Sequence, residues 1–388
     1  MDDQNRRLAF GVLLAVVFLD MLGLGFIIPI LPVYATELGA TGLWVGIIFA
    51  GHSFTRLIVL PAIGKSSDKY GKKKPFIAVG MFLYILLALG YVRASCLYEL
   101  VLIRLLQGIA SAMIFPMAMA YVGEISPQGK EGSYMGKFNF SVYVGMGCGP
   151  LLGGMLKDYL GIAAVFYTMA ILSTISLILV VFLLPEQKVT SYYRGGKVVS
   201  YKGLLSYKPV QGIMIYRIVN ALIGGCTLSF LPLLAAKMGV SAFHTGILLS
   251  TNAILAGILQ RPFGRIADRQ SKLFLIVIGS LLGSFSMFSM PLSSNYFALL
   301  LLGIIMGVGS AMSMPAASAI AARIGKEEGI GSIMGLFTMA MSIGLIVSPV
   351  ISGTVMDFLN INVVFYVMGT ISVLGTVISY FPLKTYRG

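Results

Sequence analysis

Acidic side chains are scarce in this chain: Asp and Glu supply 14 of 388 residues, and charged residues of both signs only 11%. Soluble proteins carry about 25% charged residues, so a water-surrounded globular fold is excluded at the outset. Cysteine is almost missing too. Cys96, Cys148 and Cys226 are scattered, with neither metal-ligand nor dithiol spacing, and read as packing residues. There is no Walker A loop and no soluble stretch long enough to hold one, which argues against an ATP-driven pump. Alternating segments of about ten residues are lacking, which excludes a membrane β-barrel. The first apolar run is too long for a cleavable signal peptide, and other runs follow it directly, so none is expected.

What fills the chain instead is apolar: 57% hydrophobic residues and a mean hydropathy of +0.92. A membrane-spanning helix needs about 20 mostly apolar residues. Twelve such stretches are separated by short polar breaks, at 8–34, 41–64, 75–95, 97–123, 133–156, 161–184, 210–236, 243–263, 273–292, 296–322, 330–355 and 361–382. They leave no room for a soluble domain. The formal charge of +14 is a topology signal with no implied nucleic-acid partner. All but six of the 28 Lys and Arg lie at the termini, at the even-numbered breaks or at span ends facing those breaks; Arg93, Lys157 and Lys237 lie on the opposite side, and Arg56, Arg104 and Arg217 deeper within spans. By the positive-inside rule, both termini and the even-numbered breaks are expected in the cytoplasm.

The two halves repeat. A shift of 200 places Leu31-Pro32 on Leu231-Pro232, Gly39 on Gly239, Gly46 on Gly246, Gly64 on Gly264 and Asp68 on Asp268. A shift of 199 places Gly108 on Gly307, Pro116 on Pro315, Pro150 on Pro349 and Asp158 on Asp357. Six spans per repeat is an even number, so both units enter the membrane in the same orientation. Such a pair suits rocking around a central site. The expected division is a first six-helix bundle over 1–185, a polar cytoplasmic linker over 186–209 and a second bundle over 210–388.

Three motifs sit on this frame. The break after span 2 reads Gly64-Lys65-Ser66-Ser67-Asp68-Lys69-Tyr70-Gly71-Lys72-Lys73-Lys74, with a weaker copy at Gly264 to Arg269 that includes Asp268. Span 4 holds Arg104-Leu105-Leu106-Gln107-Gly108. Span 5 holds Gly145-Met146-Gly147-Cys148-Gly149-Pro150-Leu151-Leu152-Gly153-Gly154. Together with the repeat they resemble the major facilitator superfamily. The span-5 motif, and the D-x-x-G-x-G-x-x-x-P-x-L-P pattern that starts at Asp20, resemble its twelve-span drug/proton antiporter branch, which includes tetracycline and multidrug exporters.

The resemblance implies an all-α membrane protein with twelve helices in two pseudo-symmetric bundles. It further implies secondary active efflux from a cell inner membrane, with no cofactor and the proton gradient as energy source. The loop residues Gly64, Asp68, Gly71, Lys72, Gly264 and Asp268 are expected to form conformational latches. Ser66, Lys69 and Lys72 depart from the family's usual residues there, which loosens the latch, because lysine lacks the bidentate geometry of arginine. Glu124 closes span 4 within reach of the Lys69–Lys74 loop. Gly145, Gly149, Pro150, Gly153 and Gly154 allow close helix approach and free one backbone hydrogen bond, as a hinge requires.

Asp20 is the one carboxylate well inside the apolar zone. A charge at the bilayer centre costs at least about 2.5 kcal/mol, so an acid retained there points to proton coupling, substrate binding, or pairing with Arg104 or His52. Counting residues along their spans puts His52 and Asp20 at a similar depth, and His52 is a candidate proton relay or a packing residue. Arg56 is its i,i+4 neighbour. Arg104 inside a span is expected to face a polar cavity, and Arg217, two turns into span 7, either lines the cavity or snorkels. Asn139, Tyr143, Asn220 and Asn252 are candidate cavity residues or helix–helix hydrogen-bonding groups. Three buried cations against one acid weigh toward neutral, zwitterionic or anionic cargo. The expected partners are a small molecule, protons and membrane lipid, with the chain a monomer and not an enzyme. The alternatives are a transporter of a defined metabolite (organic anion, sugar or lipid-like molecule) and a non-transporting membrane sensor.

Overall fold

The computed structural model describes residues 3–70, 72–127, 131–186, 204, 206–269, 271–328 and 330–385. Among them are twelve long helices and no strand. In chain order they are α1 (Asp3–Ile27), α2 (Gly42–Tyr70), α3 (Lys74–Arg93), α4 (Leu97–Ile125), α5 (Glu131–Leu160) and α6 (Ile162–Ile178). Then follow α7 (Lys208–Lys237), α8 (Ala242–Arg269), α9 (Lys272–Ser289), α10 (Tyr296–Glu328), α11 (Ile330–Phe358) and α12 (Ile361–Lys384). Eleven of these segments are long and apolar enough to cross a membrane. The twelfth, α5, is 30 residues long, but its glycines and Asn139 dilute its apolar character.

Local chemistry sets the helix ends. Pro32, Pro75 and Pro209 stand in first turns, where a missing N–H costs nothing. Ser271 and Asn360 cap α9 and α12 by accepting backbone N–H bonds. Gly39 and Gly239 take φ of 85° and 74° at matching turns after spans 1 and 7, a conformation that a side chain would strain. Span 1 is not one helix. It breaks at Ile28–Ile30, around Pro29, and restarts as a short helix Leu31–Glu37. Ser229 stands at the position of Pro29 in the second half, and α7 runs unbroken through Pro232.

The chain forms two compact units. The first comprises Met1–Ala40, Gly51–Tyr193 and Ser241–Ser250; the second comprises Thr41–Ala50, Arg194–Val240 and Thr251–Gly388. In the first, α1 packs on α5 and α6, and α3 on α4 and α6; in the second, α7 packs on α11 and α12, and α9 on α10 and α12. The packing pattern repeats as the sequence does. The division departs from the sequence halves at two ten-residue tips: the start of α2 sits in the second unit and the start of α8 in the first.

Lipid tails are as apolar as leucine, so helices in a membrane associate through close packing at small residues. The span-5 glycines supply this for α1. A Cβ on Gly149 would lie 2.6 Å from the Cα of Gly25, one on Gly145 would lie 2.6 Å from the carbonyl oxygen of Phe18, and one on Gly153 would lie 2.6 Å from the Cα of Phe26. Gly154 faces the other way, against the carbonyl of Ala242 in the tip of α8. In α11, Gly344 packs on Ile218 and Ala221, while Ser348 meets Gly225 and donates a hydrogen bond to the carbonyl of Leu222.

Candidate functional site

The first unit buries a polar cluster drawn from four helices. In α4, Gly108 lies so close to α2 that a Cβ there would overlap Thr55 Oγ1 and the carbonyl oxygen of His52. Thr55 Oγ1 also donates to the carbonyl of Leu105 at 2.7 Å. This contact sets His52 within electrostatic reach of both the Arg56 and the Arg104 guanidinium groups. Gly80 does the same for α3, where a Cβ would lie 2.6 Å from Ile114 Cγ1 of α4. Tyr91 and Arg104 then share one acceptor: Tyr91 Oη donates to Gln107 Oε1 at 3.2 Å and Arg104 Nη1 to the same oxygen at 3.0 Å.

Asp20 enters from α1 and is 6% exposed. Arg56 and Tyr84 lie within electrostatic reach of its carboxylate. Neither carboxylate oxygen has a hydrogen-bond partner, and His52 Nε2 and Gln107 Nε2 are also buried without one, while the Tyr84 hydroxyl is buried beside Ser111. Buried polar atoms are ordinarily paired, and leaving one unpaired costs about 1–3 kcal/mol. Four such atoms, from Asp20, His52 and Gln107, lie in this one cluster.

The same positions in the second unit are neutral and satisfied. Asn252, at the place of His52, donates to the carbonyl of Gly303 at 3.0 Å, and Gly303 stands at the place of Arg104. Asn220, at the place of Asp20, accepts from Arg217 Nη1 at 3.0 Å. Arg217 lies 4.9 Å from the ring centroid of Phe337 and donates to the sulfurs of Met314 at 3.3 Å and Met341 at 2.7 Å. Its guanidinium is thus held among the side chains of its own unit.

Of the residues singled out in the sequence, Asp20, His52, Arg56 and Arg104 come together in this cluster. Arg217, Asn220 and Asn252 lie in the second unit, and Asn139 and Tyr143 are exposed on α5. Tyr84, Tyr91 and Gln107 belong to the cluster and were not among the candidates. Gln107 was within reach, since it stands in the span-4 motif one turn after Arg104. Tyr84 carried no signal, being one aromatic in an apolar helix.

At the break after α2, Lys72 pairs with Glu186 at 2.9 Å, and Lys73 is ion-paired and hydrogen-bonded to Glu124. Gly64 has open space where a Cβ would stand, and a Cβ on Gly264 would lie 4.0 Å from Pro315 Cβ. Gly71 and the side chains of Asp68 and Asp268 lie outside the described residues, as does most of the 186–209 linker.

Comparison with known proteins gives the arrangement its family. The model of the Major Facilitator Superfamily matches residues 13–210 and 213–387. An uncharacterized MFS-type transporter of Methanocaldococcus jannaschii is 31% identical over 374 residues, covering 95% of this chain and 96% of the relative. Multidrug resistance protein 1 of Bacillus subtilis is 25% identical over 366 residues, covering 94% and 93%. Quinolone resistance protein NorA of Staphylococcus aureus is 25% identical over 371 residues, covering 93% of each. Among solved structures, the nucleoside transporter NupG superposes with a TM-score of 0.83 at 14% identity, covering 96% of this chain and 99% of that one, a likeness of fold. With its apolar helices and matched repeat, the chain is a multi-pass protein of the cell inner membrane and belongs to the Major Facilitator Superfamily, with relatives among its multidrug and quinolone resistance proteins.

Proposed function

We propose that the protein is a proton-coupled exporter of small amphipathic molecules, with Asp20 as the group that carries the proton. The observation behind this reading is the unpaired, buried carboxylate of Asp20 beside Arg56, set against the hydrogen-bonded Asn220 in the equivalent place. A carboxylate whose two oxygens are both unengaged can take a proton at either one without breaking a protein contact. Cargo reaching the same atoms competes with that proton. Exchange of the one for the other, at a site opened to each side in turn, gives antiport, because a ligand shifts a conformational equilibrium only through its different affinities for the two states. His52 is the candidate relay, and the first-half loop and span-5 glycines the candidate latch and hinge.

A second reading concerns the cargo. Arg56 and Arg104 give the cluster two fixed cations against one acid, which favours a cargo that brings hydrogen-bond acceptors or negative charge over a simple cation. This supports a defined neutral, zwitterionic or anionic metabolite as substrate.

Asp20→Asn tests the coupling. Asparagine is nearly isosteric and already occupies the matching position of the second unit, so insertion and folding are expected to survive. In proteoliposomes with an imposed proton gradient, wild type is expected to move protons when cargo is added, and the variant to lose gradient-driven transport. Full gradient-driven transport by Asp20→Asn would falsify the coupling role. A panel of cationic, neutral and anionic cargoes run alongside separates the two substrate readings.

A further inference from the structure

Each unit holds a guanidinium on the same two repeat positions. In the first, the Arg56 guanidinium of α2 lies over the ring of Phe115 in α4, 5.7 Å from its centroid, and Phe115 packs on Phe138 of α5. In the second, Arg217 of α7 donates to the sulfur of Met314 in α10 and lies 4.9 Å from the ring centroid of Phe337 in α11. Met314 is the repeat partner of Phe115, and Phe337 that of Phe138. The arginines are not partners of one another, since Ala256 and Val17 stand at their equivalents. The two units thus reach one arrangement from different helices. They differ in what offsets the charge. Asp20 lies within electrostatic reach of Arg56, whereas the acids of the second half, Asp268, Glu327, Glu328 and Asp357, all stand at helix ends. Arg217 stands nine residues beyond Lys208, the first residue of α7, which is about 14 Å along the helix.

Two of the partners of Arg217 are thioethers, those of Met314 and Met341. Sulfur there is a weak acceptor, so an N–H that leaves it for a stronger acceptor strands no costly group. A carboxylate is such an acceptor, and it takes a guanidinium by two parallel charge-assisted hydrogen bonds. One to two turns before Arg217, on the same helix face, Val210, Ile213 and Met214 join Ile333, Leu336 and Phe337 of α11 in lining a small apolar cleft. Met214 and Met314 pack against the core around that cleft, and both are partly exposed, as are Met341 and Arg217. Methionine is unbranched and reshapes readily around an apolar guest. A cation with no carboxylate of its own half at its depth, beside an adaptable apolar wall, suits a molecule with a negative head and an apolar body. We propose that the second unit has its own binding site for an organic carboxylate, in which Arg217 grips the carboxylate while Phe337 and the methionines receive the apolar body. That such a molecule is cargo rests on the reading of the protein as an exporter; that it binds here does not.

Equilibrium dialysis of the purified full-length protein in an uncharged detergent tests the site with no gradient imposed, so its failure is distinct from a failure of coupling through Asp20. The probe is radiolabelled naphthylacetate, set against naphthylacetamide, which has the same body and no charge. Wild type is expected to bind the acid at least about tenfold more tightly than the amide, the worth of one charge-assisted hydrogen bond. Arg217→Gln is expected to bind the two alike. Arg217→Lys, which keeps the charge and loses the fork, is expected to retain part of the preference. Met314→Ala plus Met341→Ala is expected to weaken acid and amide together, because both share the body. Equal binding of acid and amide by wild type overturns the proposal, and so does a preference that survives Arg217→Gln or that Arg56→Gln abolishes. Displacement of the probe by phosphatidylglycerol in preference to decanoate makes the site one for lipid and overturns it too. If Arg217→Gln does not accumulate, Arg217→Lys is read in its place, and a preference as large as that of wild type then counts against the site.

Discussion

Tyr84→Phe removes one buried hydroxyl that lies beside Ser111 and within electrostatic reach of Asp20 and changes nothing else in the shape of the cluster. If that hydroxyl served packing alone, losing it would cost about 1 kcal/mol of stability at most, the net worth of one hydrogen bond, and leave transport unaltered. The expected outcome is a melting temperature in detergent close to wild type, together with a clear fall in transport rate. Unaltered transport would remove Tyr84 from the site. Asn252 provides the contrast, since its amide is already engaged with Gly303. Asn252→Leu is expected to cost about 0.6 kcal/mol, the usual worth of an interhelical hydrogen bond in a membrane, and to leave transport in place. The two substitutions separate polar groups that hold helices together from polar groups that are held ready.

At the scale of helices, the span-5 motif is a surface on which α1 lies. Gly149→Ala places a methyl group 2.6 Å from the Cα of Gly25, and because both partners are backbone the clash is relieved only by parting the helices. Overpacking of this kind costs about 1–3 kcal/mol. Gly136→Ala, on the same helix, meets nothing within 4 Å and is expected to be neutral or stabilising by up to about 1 kcal/mol through helix propensity. Thermal unfolding of the two variants in one detergent checks the pair, and equal losses would mean that helix flexibility, rather than the contact with α1, is what the motif supplies. The close packing was legible in the sequence because glycine spacing repeats with the helical turn. The break in span 1 was only half legible. Pro29 and Pro32 stand at the break, yet Pro116, Pro150, Pro232 and Pro349 stand in unbroken helices, so a proline alone does not tell a break from a continuous helix. Helix ends followed the apolar runs to within a few residues, since burial in lipid leaves the backbone few alternatives. Side-chain neighbours across helices, Tyr84 beside Asp20 above all, depend on helix rotation, which apolar runs do not encode.

At the scale of the whole molecule, the repeat reads as two six-span blocks, and each compact unit also takes a ten-residue tip from the other half of the sequence. The start of α2 is packed in the second unit and the start of α8 in the first. Asp158 accepts from the backbone N–H of Phe243 in the tip of α8, and Asp357 from those of Gly42 and Leu43 in the tip of α2. The two acids were visible in the sequence only as one more matched pair, because a capping carboxylate and the N–H groups it binds are separated by 85 residues in one case and 315 in the other. The exchange of tips has a consequence for a cut chain. Cleavage within Arg194-Gly195-Gly196-Lys197, through an inserted protease site, yields two fragments, and each unit then contains pieces of both. Thr41–Ala50 stays seated by Asp357 and the backbone of Pro349, and Ser241–Ser250 by Asp158 and the backbone of Pro150. The two fragments are therefore expected to co-purify in mild detergent through an affinity tag on either one and to retain transport. Adding Asp158→Ala and Asp357→Ala is expected to lower the recovered fraction of the untagged fragment. Quantitative separation of the fragments with both carboxylates intact would show that the tips add little to cohesion, and that the chain connection alone keeps the two fragments together.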